Sequence, residues 1–264
     1  MIGTTLLTAC LTCAQVVAQA TTAPVDVELV LAVDVSRSMD EEEFRLQRAG
    51  YVAALRHPDF IAAISKGHHR RIALTYFEWA ETVRPDSIVS WQVIDSAESA
   101  ERFASELEQR PFGGLRGTSI SGALDFGAAL FAQNEAVGER RVIDVSGDGP
   151  NNIGRSVAEA RDAAVEAGIV INGLPILVRP SPTFKHLDRY YAECVIGGPG
   201  SFMLPIYDPS EFATAIRRKL ILEVSGAPVD ATIVPADATE PVDCLKGERD
   251  RRLFADPYFP ELDR

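Results

Sequence analysis

Val27 to Val35 (VELVLAVDV) is an almost unbroken apolar run rich in β-branched residues, the pattern of a strand buried on both faces. Asp40 to about Arg56 then reads as a helix. Ser38 followed by Glu41 has the form of a capping box, and Asp40, Glu41, Glu42 and Glu43 place negative charge where a helix dipole favours it. Pro58 is expected to break or restart this helix. Arg71 to Ala80 (RIALTYFEWA) predicts a second strand, and Ser87 to Ile94 (SIVSWQVI) an edge strand paired beside it as a hairpin. Ala97, Ala100, Phe103 and Leu107 form one face of a helix near 96–110. Gly113-Gly114-Leu115-Arg116-Gly117 reads as a loop leading into a helix over about 118–133.

The second half continues the alternation. Arg141 to Ser146 (RVIDVS) predicts a buried strand ending in Gly147-Asp148-Gly149-Pro150, followed by a helix at 156–167. A strand at 169–178, a helix at 184–195, a turn at 197–200 and a strand at 201–207 come next. Phe212, Ile216 and Leu220, at i, i+4 and i+8, mark a final helix to about Glu223. Strands alternating with helices imply an α/β fold: a doubly wound, mostly parallel sheet with helices on both faces and one antiparallel edge strand. One domain is expected over residues 26–224. From Gly226 onward Pro, Asp and Glu dominate and the period is lost, so 225–264 is expected to be an irregular acidic tail packed on or near the domain. The short basic clusters His68–Arg71, Arg140–Arg141 and Arg217–Lys219 read as solvated surface, and Trp79, Trp91, Tyr190 and Tyr191 as packing residues.

The first twenty residues change the picture. Met1 to Ala20 contains no charged side chain and ends in Ala18-Gln19-Ala20, a small-x-small pattern suited to signal peptidase. Residues 1–20 are therefore expected to be a signal peptide and the protein to be exported, periplasmic or secreted. Leu7-Thr8-Ala9-Cys10 gives a lipoprotein anchored at Cys10 as the alternative. Cleavage after Ala20 would remove two of the four cysteines, Cys10 and Cys13. The two left, Cys194 and Cys244, are expected to pair in an oxidising compartment and to pin the tail. Asp and Glu outnumber Lys and Arg, 38 to 26, giving a net charge of −12. A surface of that sign repels phosphate backbones, so nucleic acid is not an expected partner.

Candidate chemistry lies where strands end, which is where open α/β sheets bind ligands. Asp34-Val35-Ser36-Arg37-Ser38 follows the first strand, Thr118 follows the glycine-rich loop, and Asp148 follows the 141–146 strand. Singly, Ser38 and Thr118 read as helix caps and Asp148 as a turn residue. Together they place two carboxylates and three hydroxyls at one end of one sheet, a hard oxygen set that suits Mg²⁺. Asp34-x-Ser36-x-Ser38 with Thr118 and Asp148 resembles the metal-ion-dependent adhesion site (MIDAS) of the von Willebrand factor type A domain. LAVDVSRSMD, GGLRGTSISGAL, DVSGDGPNN and YYAECVIGGPGSF resemble in particular an exported bacterial branch known by a domain-of-unknown-function label.

The resemblance implies that Ser36, Ser38 and Thr118 offer hydroxyls to a divalent cation, Mg²⁺ before Mn²⁺ or Ca²⁺, and that Asp34 and Asp148 act directly or through water. It implies a metal-dependent binding module that recognises an Asp or Glu carboxylate of a protein or peptide partner, and no enzyme. Two alternatives stand beside it: a metal-assisted envelope hydrolase, and a structural envelope protein whose metal only braces loops. The sequence has no P-loop, no G-x-G-x-x-G after the first strand and no G-x-S-x-G, and His57, His68, His69 and His186 form no HExxH.

Overall fold

In a computed structural model that describes residues 23–39, 41–179, 184–226 and 241–254, the first apolar run becomes β1 (Ala23–Asp34), the central strand of the sheet. The chain continues as α1 (Glu41–Leu55), α2 (Pro58–Ile64), β2 (Ile72–Trp79), β3 (Val89–Ile94), α3 (Ala97–Glu108) and α4 (Ile120–Leu130). After these come β4 (Ala136–Gly147), α5 (Val157–Glu166), β5 (Ile169–Pro175), α6 (Leu187–Tyr190), α7 (Phe212–Ser225) and α8 (Lys246–Phe254). The five strands lie in the order β3-β2-β1-β4-β5. β1 pairs in parallel with β2 and β4, β4 pairs in parallel with β5, and β3 is the antiparallel edge. The fold is thus a mostly parallel sheet of five strands with helices around it.

β1 shows why an unbroken apolar run is required at the centre. Val27, Leu29, Leu31 and Val33 face one core, with α1, α2, α3 and α7, while Val30 and Ala32 face the other, with α4, α5 and Tyr190–Tyr191. Each fully buried Val or Leu contributes roughly 1.5–3 kcal/mol by leaving water. Pro58 restarts the chain as α2: it occupies the first turn, where its missing N–H costs nothing, and the His57 side chain accepts the Asp59 N–H at 3.2 Å.

Several expectations are corrected. The segment 201–207 is no strand: it lies beside β5 as two isolated parallel bridges, Gly173 to Met203 and Ile176 to Ile206. Pro175 has no N–H to donate to the Leu204 carbonyl, so the ladder is interrupted between the Leu204–Gly173 and Ile206–Pro175 hydrogen bonds. The helix expected at 184–195 is one short turn, α6, running into a π-turn at Tyr191–Val195. β4 begins at Ala136, because the alternating polar segment before Arg141 pairs with the start of β1. Lys219 belongs to no solvated cluster. It is 1% exposed and reaches Asp144 at 2.8 Å and Glu223 at 2.6 Å in the core beneath α7. The expected tail holds a regular element, α8, and Cys194 is bonded to Cys244 with Cα atoms 5.6 Å apart, as expected. The expected signal segment 1–20 with Cys10, and residues Asp40, 227–240 and 255–264, lie outside the described residues.

Candidate metal site

All five residues singled out in the sequence stand at the carboxyl end of the parallel strands. β1 ends at Asp34 beside the end of β4, since Val33 pairs with Ser146. The turn after β1 is tied to the glycine-rich loop by Arg37 N–H to the Leu115 carbonyl at 2.9 Å and Leu115 N–H to the Val35 carbonyl at 3.0 Å. That loop delivers Thr118. Ser119, and not Thr118, caps α4 by accepting the Gly122 N–H at 3.2 Å, so the Thr118 hydroxyl is not used as a cap. Asn152, four residues after Asp148, holds the Thr118 backbone from both sides: its N–H donates to the Thr118 carbonyl at 2.8 Å and its Oδ1 accepts the Thr118 N–H at 3.0 Å.

The side chains converge. Ser38 Oγ donates to Asp148 Oδ1 at 2.6 Å and lies 3.0 Å from Ser36 Oγ, which itself reaches Asp148 Oδ1 at 3.5 Å. The Ser38 hydroxyl thus turns to Asp148, where the capping box would have used it for the helix. Asp34 is wholly buried, and its Oδ1 accepts the Ser36 N–H at 2.7 Å. Its Oδ2 is buried without a hydrogen-bond partner among the described residues, as is the Tyr191 hydroxyl. Both flank Gly147: a Cβ there would stand 2.8 Å from the Tyr191 hydroxyl and 2.9 Å from Asp34 Oδ2, so only glycine lets β4 pass this close. Gly149 faces Thr118, whose Oγ1 would lie 3.9 Å from a Cβ at that position.

Charge is concentrated here. Burial pushes the Asp34 carboxyl well above its ordinary value, and the neighbouring Asp148 charge pushes it further, against hydrogen bonds from Ser36 and the Asp148 backbone. Asp148 is raised to about 6, by burial first, with the Ser38 hydrogen bond opposing and the Glu43 charge adding. Glu43, at the start of α1, is itself buried and pairs with Arg179 at 2.7 Å. A buried carboxylate and a half-buried one that repel each other, the first with an oxygen unpartnered among the described residues, beside three hydroxyls are a donor set that suits a hard divalent cation. The residues present fit that group.

Sequence reasoning missed the supporting residues. In the sequence the Glu43 charge reads only as a helix-terminus effect, Tyr191 only as packing, and the Asn151-Asn152 pair as part of a motif without roles. Asn151 accepts the Ser121 N–H at 2.9 Å and donates to Glu248 of α8 at 2.7 Å. The histidines stand elsewhere: His57 caps α2, His68 and His69 precede β2 at the far end of the sheet, and His186 precedes α6.

A family model described as "Protein of unknown function (DUF1194)" matches residues 24–228. No curated protein matches the chain. Among solved structures, the chain is similar to proximal thread matrix protein 1 from the mussel byssus, with 12% identity and a TM-score of 0.53 over 77% of this chain and 47% of that one. It is similar to von Willebrand factor type A from Catenulispora acidiphila, with 17% identity and a TM-score of 0.51 over 76% and 43%. It is also similar to the vWF domain of the type V pili tip protein Mfa5 from Porphyromonas gingivalis, with 10% identity and a TM-score of 0.53 over 81% and 99%. The chain spans a little under half the length of the first two. The mussel protein has also been solved with a zinc-occupied MIDAS motif. At these identities the likeness shows the fold, that of a von Willebrand factor type A domain.

Proposed function

The chain belongs to the DUF1194 family of proteins of unknown function, and from that membership, its fold and its oxygen-lined site we propose that it is an exported binding module. It recognises an Asp or Glu side chain of a protein or peptide partner through a divalent cation, Mg²⁺ by preference, held by Asp34, Ser36, Ser38, Thr118 and Asp148. The observation that carries this reading is the convergence of the buried Asp34 and half-buried Asp148 carboxylates with the Ser36 and Ser38 hydroxyls.

When bound, the cation supplies a Lewis-acidic, electropositive position that a partner's carboxylate can enter in place of water. The protein's residues do the rest. Ser36 and Ser38 supply neutral oxygen, so the site's negative charge stays low enough for an incoming anion. Asp34, buried behind them, fixes the Ser36 backbone. Asn152 holds Thr118 in register with Asp148 through two backbone contacts. Support for export comes from the uncharged segment 1–20 and from the Cys194–Cys244 bridge, a pairing that persists in oxidising compartments. No helix among the described residues is long and apolar enough to cross a membrane.

Affinity capture from the source cell's envelope, with Mg²⁺ or with chelator, tests the proposal on wild type and Asp34→Ala. A partner retained by wild type in Mg²⁺, and lost both with chelator and in the variant, is the expected result. Retention in chelator would overturn cation-dependent recognition. Loss of stability on chelation with no partner captured would leave a metal that only braces the loops.

A further inference from the structure

The end of the sheet opposite the carboxylate–hydroxyl cluster carries a different donor set. There the segment leading into β2 is wrapped around one side chain of β1. Asp26 accepts the His69 N–H at 2.8 Å and the Arg71 N–H at 3.3 Å, while its own N–H donates to the Arg71 carbonyl at 2.9 Å. Between His69 and Arg71, Arg70 has φ of 55°, and it is the one non-glycine residue in the left-handed region among those described. A long side chain has no local preference for that conformation, so tertiary contacts hold it there. The outcome is that His68 and His69 are presented on a fixed turn.

The polar start of β4 supplies a third group. Val25 pairs with Gly138 and Val27 with Arg140, which sets Glu139 beside Asp26 across the ladder. Glu139 Oε1 lies 3.2 Å from His69 Nε2. His68 stands edge-on to His69 with ring centroids 4.7 Å apart. One ligand atom from each of His68, His69 and Glu139 lies within 4.8 Å of the other two.

We propose that His68, His69 and Glu139 form a second metal site, for a borderline divalent ion of the Zn²⁺ class. Two imidazoles and one carboxylate are a three-ligand set that leaves the fourth position of a tetrahedral ion open to water or to a partner's side chain. Bonds of about 2.0–2.2 Å place the ligand atoms of such an ion roughly 3.3 Å apart. The His69–Glu139 pair already has that spacing, and the exposed His68 ring closes the remainder by a side-chain rotation. Asp26 is a positioning residue here: both its oxygens are held by backbone N–H groups, so it orients the turn. The chemistry separates the two ends of the molecule. Mg²⁺ demands six oxygens and dehydrates reluctantly, so it does not compete for an imidazole pair. Imidazole in turn prefers the later transition metals. A simple His–Glu surface ion pair accounts for the 3.2 Å contact and assigns no role to His68.

The test titrates Zn²⁺ into the mature protein by calorimetry with millimolar Mg²⁺ present, and Co²⁺ in parallel by visible absorption. Wild type and Asp34→Ala should each bind one Zn²⁺ at this site, and the Co²⁺ complex should show the intense bands of low coordination number. His68→Ala, His69→Ala and Glu139→Gln should each weaken Zn²⁺ at least about tenfold and abolish the Co²⁺ bands. Thermal unfolding in chelator checks that each variant is folded. Should His69→Ala misfold, the exposed His68→Ala carries the test alone. Unchanged Zn²⁺ affinity in His68→Ala would reduce the cluster to an ion pair and overturn the site. Zn²⁺ binding lost in Asp34→Ala and kept in the histidine variants would overturn it equally, by assigning zinc to the oxygen cluster.

Discussion

Asp34 occupies a position where a carboxylate is costly: it is wholly buried, one oxygen is orphaned, and Asp148 faces it with the same charge. A binding site and a stability optimum are therefore in conflict at this residue. Asp34→Asn keeps the shape and removes the charge. In chelator at neutral pH this variant should melt above wild type, whereas in millimolar Mg²⁺ wild type should gain and the variant should not respond. A cation at a hundred times its dissociation constant adds about 2.7 kcal/mol to wild type. A variant that still responds to Mg²⁺ in differential scanning calorimetry would place the cation elsewhere. Asp144 makes a related prediction away from the site. Burial raises its carboxyl to about 6, against the pull of Lys219 and with Glu223 adding to the rise. The folded state thus holds the Asp144 proton more tightly than the unfolded chain does. The stability this contributes is complete below about pH 4 and lost as pH rises through about 6. Denaturant unfolding between pH 4 and 7 should show wild type losing stability relative to Asp144→Asn as pH rises. Parallel curves would exclude this group as the cause.

At the scale of elements, the sequence was most legible where one physical signal dominates. β1 and β2 are buried on both faces and read as apolar runs, β3 as the antiparallel edge, and α1, α3, α4, α5 and α7 within a few residues of their ends. The misses share a cause: they depend on a neighbour. The polar first half of β4 has no strand pattern of its own and is ordered by pairing with β1, and the ladder of the 201–207 segment is interrupted at Pro175 of the neighbouring β5. α8 is almost entirely polar and has no apolar face to detect. It is seated by the Cys194–Cys244 bond, by Glu248 accepting from Asn151 at 2.7 Å, and by Arg251 donating to Asn152 at 3.3 Å. Gly247 lets the helix touch the loop, since a Cβ there would stand 2.2 Å from the Asn151 carbonyl oxygen. α8 therefore braces the two asparagines that hold Ser121 and Thr118. Gly247→Val should unseat α8 with the disulfide intact, lower the melting temperature, and weaken Mg²⁺ binding through Thr118. Replacing both cysteines by serine should cost about 4 kcal/mol, because the bond closes a separation of 50 residues. Equal Mg²⁺ affinity in wild type and Gly247→Val, by calorimetry, would confine α8 to a purely stabilising part.

Across the whole molecule, the geometry of β1 sets the relation between its two ends. Asp34 closes the strand at the oxygen cluster and Asp26 anchors the turn that carries His68 and His69, eight residues earlier. At about 3.3 Å per residue the two ends lie roughly 26 Å apart, well past the distance at which neighbouring sites ordinarily couple. They also lie beyond a Debye length of about 8 Å at physiological salt. The protein carries a net charge of −12, so any cation it takes up is favoured by the general field, but that long-range term is screened and common to both ends. Site-specific donors, oxygen at one end and imidazole at the other, are what remain to distinguish Mg²⁺ from Zn²⁺. Mg²⁺ and Zn²⁺ should therefore stabilise the fold additively. The free-energy gain with both present should equal the sum of the separate gains to within about 0.5 kcal/mol. Asp34→Ala should delete the Mg²⁺ increment alone, and His68→Ala the Zn²⁺ increment alone. Denaturant unfolding of the three proteins in each metal, and in both together at 0.15 M salt, measures every quantity needed. A combined gain equal to the larger single one would mean that both cations compete for one site, and the separation of the two ends by donor chemistry would then fail.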